Sequence, residues 1–116
     1  MDNVKNDIYY VERILRDVKF IISNTVGITC GDLEANEILC DSVLFRLIQI
    51  SENAGKVSDA FKLDHPDIGW RGIKGMRNRI VHDYGDVKLD IVYQTITEDI
   101  PALCQKLERF LTANKG

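Results

Sequence analysis

Apolar residues recur at helical spacing over most of the chain, and this period constrains the fold more than any other feature of the sequence. In the first segment they are spaced by 4, 3, 4, 3 and 4 positions, at Val4, Ile8, Val11, Leu15, Val18 and Ile22. Such spacing places them on one side of an α-helix. Ile14 and Ile21 widen the stripe, so the sequence predicts a long amphipathic helix that ends near residues 23–27.

A second long helix is predicted to begin between Asp32 and Asn36, after a loop over residues 29–32. One apolar stripe of this helix comprises Leu39, Val43, Leu47, Ile50, Ala54, Val57 and Phe61, and a neighbouring stripe comprises Cys40, Leu44 and Ile48. An apolar surface this wide is expected to be buried on more than one side, against the chain's own core and against a partner subunit.

The second half of the chain predicts two further helical segments. Pro66 disfavours a helix at the residue before it, so a turn is expected there, and a third helix is predicted from Trp70 to His82 or Tyr84. Gly85 stands where a left-handed helix terminator is expected. Helical spacing returns over residues 89–113. Because proline fits only the first turn of a helix, Pro101 predicts a break near residue 97 and a final helix from about residue 98.

Together these segments predict a single all-α domain over residues 1–116, an up-and-down bundle of four or five helices. No strand-like alternation is present. The apolar stretches are too short to span a membrane, and the amino terminus lacks a basic signal-peptide start, so we expect a cytoplasmic protein without a membrane partner. Cys30, Cys40 and Cys104 form neither a disulfide framework nor a zinc-binding spacing. Reduced, mostly buried thiols and no metal site are expected.

The charge of the chain is unevenly distributed. The whole sequence carries a net charge of −3, which argues against nonspecific adhesion to nucleic acid. Residues 56–79 nevertheless hold six basic and three acidic side chains, a balance of +3. A positive patch of this kind can attract a phosphate chain, although a solvated charged face would give the same count.

Polar side chains that could carry out chemistry cluster at Arg77, Asn78, His82 and Tyr84. In a continuous helix Arg77 and His82 would lie about 140° apart around the axis, on two sides of one groove. His82 in a last helical turn would be favoured as imidazolium by the helix dipole and by Asp83. Guanidinium and imidazole together can cleave RNA, because imidazole moves protons while arginine stabilises the charge on phosphorus. The spacing alone also fits structural roles, in which the histidine caps the helix, the arginine pairs with a carboxylate and the tyrosine packs against its neighbours.

The chain has only two histidines, His65 and His82. Cleavage that proceeds by attack of the 2′-hydroxyl requires both an acid and a base. A symmetric homodimer that brings two copies of His82 together would supply both.

The segment from Met76 to Tyr84 (MRNRIVHDY) resembles the R-x-x-x-x-H-x-Y motif of the HEPN superfamily, specifically of its HepT-like toxins. Residues 41–53, 65–70 and 96–101 resemble the second helix, loop and final helix of that family. The resemblance implies a HEPN-like homodimer in which two motifs share a cleft. It also implies metal-independent RNA cleavage by the catalytic pair Arg77 and His82, with Asn78 supporting them.

The resemblance further implies a partner and a form of regulation. In the family a small nucleotidyltransferase (MNT-type) acts as antitoxin and transfers AMP from ATP onto the motif tyrosine, here Tyr84. ATP is then only the AMP donor of the partner enzyme, and the chain itself needs no cofactor. AMP near the cleft would obstruct RNA and repel its phosphates.

Arg46, Gln49 and Asn53 form a polar line on an otherwise apolar helix. Their spacing fits a role in lining the cleft and a solvated stripe equally well. Two other functions also remain open. The chain could be a non-catalytic docking or nucleotide-binding accessory of a nucleotidyltransferase, which its net acidity favours. It could also be a helical dimer without a ligand, although the polar motif argues against this.

Overall fold

Helices form most of the chain. The computed structural model describes the backbone of residues 2–82 and 86–115 and the side chains of residues 6–80 and 87–113. The helices are α1 (Asp2–Asn24), α2 (Cys30–Ala35), α3 (Glu37–Lys56), α4 (Asp59–Asp64), α5 (Trp70–Ile80), α6 (Leu89–Gln94) and α7 (Ile100–Lys115). A 3-10 turn covers Pro66–Ile68, and a π-helical turn over Thr95–Asp99 joins α6 to α7. The predicted all-α class is confirmed.

One apolar core lies between the long helices. The face of α1 that is fully buried consists of Val11, Ile14, Val18 and Ile21, whereas Ile8, Leu15 and Ile22 are half-buried. The centre of the buried face therefore lies on Ile14 and Ile21, the residues predicted only to widen the stripe. On α3 the predicted stripe is confirmed, because Val43, Leu47, Ile50 and Ala54 are all buried.

The predicted second helix is divided into three, which corrects its boundaries. A capping box at Thr29 begins α2 within the predicted loop. The Asn36 side chain accepts a hydrogen bond from the Leu39 N–H at 3.0 Å and begins α3. The Ser58 hydroxyl accepts one from the Phe61 N–H at 3.2 Å and begins α4. Polar side chains that satisfy the first N–H groups of a helix fix its start, and each of these three does so.

Long-range contacts show that α1 runs antiparallel to its two neighbours. Asp7 contacts Ser58, and Asp17 contacts Arg46, so α1 and α3 run in opposite directions. The Tyr93 hydroxyl donates to the Ile28 carbonyl at 2.8 Å. Lys19 of α1 and Glu108 of α7 form an ion pair at 3.1 Å. Residue 28 thus contacts residue 93 while residue 19 contacts residue 108, so α1 and α7 also run in opposite directions. These pairings agree with the predicted up-and-down arrangement.

The carboxyl-terminal segment is helical without the break that was predicted near residue 97. The chain instead widens into the π-helical turn, where the Ile100 N–H donates to the carbonyl of Thr95, five residues earlier. Pro101 has no N–H, and its ring would clash with the carbonyl four residues before it in a regular helix. A π-helical turn relieves that crowding while the helix continues.

The predicted end of the third helix is also wrong, because α5 ends at Ile80 rather than at His82 or Tyr84. Val81–His82 (β1) pairs antiparallel with Asp86–Val87 (β2), with His82 opposite Asp86. The Lys88 N–H then donates to the Ile80 carbonyl at 3.1 Å. Ile80 and Val81 are β-branched and lose little by leaving the helix. A ladder of two residue pairs is too short to produce visible alternation in the sequence.

Within the part of the chain that the structure describes, no helix is both long and apolar enough to cross a membrane.

Candidate active site

Helix α5 carries the first half of the motif and is fixed by its buried face. Ile73, Met76 and Ile80 point into the core at spacings of three and four residues. The buried Ser51 hydroxyl of α3 donates to the Lys74 carbonyl at 3.0 Å. Apolar packing and this hydrogen bond together set the rotation of α5, and they leave residues 77–79 facing solvent.

Arg77 and Asn78 follow Met76 and are both exposed. Among the described residues neither side chain has a hydrogen-bond or ion-pair partner. Arg79 differs, because its Nη1 donates back to the Gly72 carbonyl at 3.1 Å. Arg77 is therefore an exposed guanidinium on a firmly packed helix, and it can form charge-assisted hydrogen bonds with a phosphate.

His82 lies two residues beyond the end of α5, which corrects the geometry predicted for a continuous helix. Its backbone belongs to β1, so neither the 140° relation to Arg77 nor a place in the last helical turn applies. The ladder with Asp86 holds the backbone of His82 instead. The side chain of His82 lies outside the described side chains, and Tyr84 and Gly85 lie outside the described residues.

The other histidine, His65, packs within an aromatic cluster. His65 is half-buried, with its ring 4.4 Å from the Phe61 ring and 4.7 Å from the Phe110 ring, measured between centroids. Trp70 completes the cluster by packing edge-on against Phe61 and donating its indole N–H to the His65 carbonyl at 3.0 Å. Aromatic packing therefore accounts for His65.

The polar line on α3 faces α1. Arg46 forms an ion pair with Asp17 at 2.7 Å and stacks over the Phe20 ring at 3.9 Å. Asn53 is only 5% exposed, and its amide donates to the Gln49 carbonyl at 3.0 Å. Ser51, which faces α5, is about 200° around the helix from both Gln49 and Asn53. The structure thus separates these three residues from Arg77 within the chain.

Two adjoining depressions, which were not predicted from the sequence, lie between α1 and α3. One has a volume of about 280 Å³ and is lined by Tyr9, Arg13, Gln49 and Lys56, among others. The second, about 250 Å³, shares Arg13 and Gln49 and adds Arg16 and Phe45. The spacing of Tyr9, Arg13 and Arg16 on one helical face is a signal that could have indicated this surface.

Among the described residues, no group of three or more histidine, cysteine, aspartate or glutamate side chains could hold a metal ion. All three cysteines are free. Cys104 is buried as expected, whereas Cys30 and Cys40 are only half-buried. Burial, followed by the charge of Asp41, raises the pKa of the Cys40 thiol. Burial and the neighbouring Glu108 likewise raise the pKa of Cys104, so neither thiol is activated.

Comparison with known proteins places these features in a family. A protein of Thermococcus cleftensis named "Probable ribonuclease HepT" is 31% identical over 86% of this chain and 91% of its own length. A protein of Caldanaerobacter subterraneus subsp. tengcongensis named "Putative RNase TTE0752" is 29% identical over 91% of this chain and 95% of its own length. No solved structure gives a significant match. The family model described as "Ribonuclease HepT-like" matches residues 14–110, which include the whole of α3, α5 and the motif. The chain belongs to the HepT-like ribonuclease family of the HEPN superfamily.

Proposed function

We propose that the chain is a metal-independent endoribonuclease toxin that cleaves RNA with Arg77 and His82 at a cleft between two subunits. The observation that carries the proposal is the state of Arg77. It is an exposed guanidinium without a described partner, on a helix held by Ser51, five residues before a histidine fixed in a β-ladder. Membership in a family of ribonucleases supplies the substrate class.

In the proposed reaction the 2′-hydroxyl oxygen attacks the neighbouring phosphorus while one imidazole accepts its proton. The bond from phosphorus to the 5′-oxygen breaks, and that oxygen takes a proton from a second imidazole, which is the general acid. Arg77 stabilises the additional negative charge on the pentacoordinate phosphorus. Asn78, the next residue on the exposed side of α5, positions the phosphate or the catalytic groups. The products are a 2′,3′-cyclic phosphate and a 5′-hydroxyl.

The two imidazoles come from two subunits. His65 is held in an aromatic cluster, so each subunit contributes His82 alone. A twofold axis that passes through the cleft brings two copies of His82 together and generates the acid and the base from one residue. The half-buried stripe of Cys40, Leu44 and Ile48 on α3 is available to the interface.

We further propose that a partner nucleotidyltransferase silences the enzyme in the cytoplasm, as the antitoxin of a toxin–antitoxin pair. The phenolic oxygen of Tyr84 attacks the α-phosphorus of ATP, pyrophosphate leaves, and AMP remains attached to the tyrosine. The added negative charge and bulk, two residues from His82 in sequence, oppose the entry of RNA. Intact mass after co-expression should show one or more AMP increments, and Tyr84→Phe should show none.

The experiment that tests the nuclease is cleavage of RNA by the purified chain in excess EDTA. We expect 2′,3′-cyclic phosphate ends, and we expect His82→Ala to be inactive. Equal activity of wild type and His82→Ala, or complete loss of activity in EDTA that added metal restores, would overturn the proposal. Mixing the inactive His82→Ala chain with wild type should lower activity per wild-type subunit, because mixed dimers hold only one copy of His82.

The net charge of −3 favours a second candidate, a docking accessory of the nucleotidyltransferase without catalysis. This candidate predicts a stable complex with the transferase and no inhibition of growth when the chain is expressed alone. The nuclease predicts growth inhibition that His82→Ala abolishes.

A further inference from the structure

The groove between α1 and α3 combines positive charge with exposed aromatic rings. We define the α1–α3 groove by Tyr9, Arg13 and Arg16 on α1 and by Phe45, Gln49 and Lys56 on α3. Its two depressions share Arg13 and Gln49, so they adjoin each other. On α3 it extends from residue 45 to residue 56, which is about 16 Å at 1.5 Å per residue.

The charge of the groove is opposite to that of the whole chain. Four of the side chains that line its two depressions are basic, namely Arg13, Arg16, Arg46 and Lys56, and two are acidic, Asp17 and Glu52. The groove therefore has a local balance of +2 in a chain of net charge −3. Arg46 and Asp17 neutralise each other at 2.7 Å, which leaves the excess charge with Arg13, Arg16 and Lys56.

Two rings in the groove are exposed although they are large. Tyr9 is 52% exposed and Phe45 is 58% exposed, so the rest of the chain covers neither ring. The Arg13 guanidinium lies 5.6 Å from the centroid of Tyr9, and the Lys56 ammonium lies 5.8 Å from that of Tyr10. Tyr10 is half-buried, whereas Tyr9 is exposed, so the Arg13 guanidinium can hold a phosphate while the Tyr9 ring stacks on the adjoining base.

We infer that the α1–α3 groove binds single-stranded RNA, at a surface of the chain that is separate from Arg77. Bases stack on Tyr9 and Phe45, while the phosphates between them contact Arg13, Arg16 and Lys56. A single strand is required, because bases stacked within a duplex cannot reach aromatic side chains. The inference rests on the proposed ribonuclease function for its substrate class, but it concerns residues of α1 and α3 rather than Arg77 and His82.

The test measures binding apart from cleavage. The probe is a labelled single-stranded oligouridylate of about twelve nucleotides with 2′-O-methyl riboses, which 2′-hydroxyl attack cannot cleave. Anisotropy gives its dissociation constant with the full chain. Tyr9→Ser and Phe45→Ser should each weaken binding about fivefold to a hundredfold, the range found for one stacked base. Tyr9→Phe keeps the ring and loses only the hydrogen bond that Arg13 donates to the Tyr9 hydroxyl at 3.4 Å, so it should bind nearly as wild type does. Leu63→Ser removes an apolar side chain outside the groove that is 80% exposed, and it tests whether a new surface hydroxyl alone weakens binding.

Arg13→Glu tests the charge. We expect weaker binding and a slope of log affinity against log salt that is shallower by about 0.7, the value for one phosphate contact with a single strand. Arg109→Glu makes the same charge change at an exposed position of α7 and should leave that slope unchanged. A duplex of the same length should bind more weakly than the single strand.

Three results would overturn the inference. They are wild-type affinity in the Tyr9→Ser and Phe45→Ser variants, equal affinity for duplex and single strand, or a Phe45→Ser chain that changes from dimer to monomer as it loses RNA. The last result would show that the groove is an interface between copies. Groove-dependent binding by a chain that never cleaves RNA would refute the proposed nuclease alone, whereas cleavage with groove-independent binding would refute the groove alone.

Discussion

The carboxylate of Asp7 accepts two hydrogen bonds from Ser58, one from its backbone N–H at 2.8 Å and one from its hydroxyl at 2.7 Å. Asp7 is 4% exposed, so this contact is a buried link between α1 and the start of α4. Ser58 also caps α4 through the Phe61 N–H.

Replacing Asp7 should therefore destabilise the fold. Asp7→Ala leaves two donors without an acceptor, and we expect a loss of about 2–3 kcal/mol in the free energy of unfolding. Urea denaturation followed by circular dichroism measures it. Asp41→Ala removes an exposed carboxylate of α3 and should change stability by less than about 0.5 kcal/mol. Equal losses in the two variants would contradict the structure.

The ion pair between Arg46 and Asp17 predicts a measurable coupling. Its side chains are 26% and 11% exposed, so the pair is largely desolvated, and the guanidinium also lies over Phe20. A double-mutant cycle with Arg46→Gln and Asp17→Asn should give a coupling free energy of about 1–3 kcal/mol. A coupling near zero would mean that Arg46 belongs to the surface rather than to the α1–α3 contact.

Ile14 and Ile38 offer a matched pair for the core. Ile14 is fully buried at the centre of α1, whereas Ile38 is 81% exposed on α3. Ile14→Ala should cost about 2–5 kcal/mol through lost burial and the cavity left behind. Ile38→Ala, the same chemical change, should cost less than about 0.5 kcal/mol in the same thermal or urea unfolding experiment. A large cost at Ile38 would instead point to a subunit contact.

Comparing substitutions of Arg77 and Arg79 distinguishes the proposed catalytic role of Arg77 from a general effect of positive charge. Arg77→Ala should lower kcat/KM for RNA by about 10²–10³, the loss that accompanies removal of one transition-state donor. Arg79→Ala removes the same charge from the same helix, but the Arg79 guanidinium already donates to the Gly72 carbonyl, so most activity should remain. Initial rates on one labelled RNA compare the two, and equal losses would assign Arg77 to electrostatic attraction alone.

The pH dependence of stability should include a contribution from Glu108. Hydrogen bonding from Lys19, then from Cys104, holds the pKa of Glu108 below its usual range. A lowered pKa in the folded state contributes stability above the unfolded pKa of about 4.3, and that contribution is lost as pH falls through the folded value. Glu108→Gln should therefore show a smaller fall in Tm between neutral and acidic pH. Glu34→Gln, an exposed carboxylate on α2, should follow wild type.

The sequence predicted the helices well where burial imposes a period. The stripe of α3 is recognisable because Val43, Leu47, Ile50 and Ala54 all face one core. The divisions at Asn36 and Ser58 were missed, because a polar side chain that caps a helix and one that faces solvent in its interior look alike in sequence. Only the three-dimensional contact, such as Ser58 with Asp7, distinguishes them.

The candidate site was less predictable for a related reason. Arg77 was identified and lies exposed on α5, yet the end of that helix was placed too late, because β1 depends on residues 86–87 across an intervening segment. The α1–α3 groove requires Tyr9 of α1 and Phe45 of α3 to lie along the same surface. That placement follows from the antiparallel packing of α1 on α3, which helical periodicity in one segment cannot reveal.

Because α5 ends at Ile80, the positions of Arg77 and His82 depend on different parts of the structure. Arg77 moves with α5, whose position depends on Ser51 and on the apolar contacts of Ile73 and Met76. The backbone of His82 is instead tied to Asp86, and Lys88 anchors the same segment through the Ile80 carbonyl. In the proposed reaction, substitutions in residues 86–88 therefore shift the backbone of His82 while Arg77 stays in place, so selection or design could retune proton transfer without disturbing phosphate recognition.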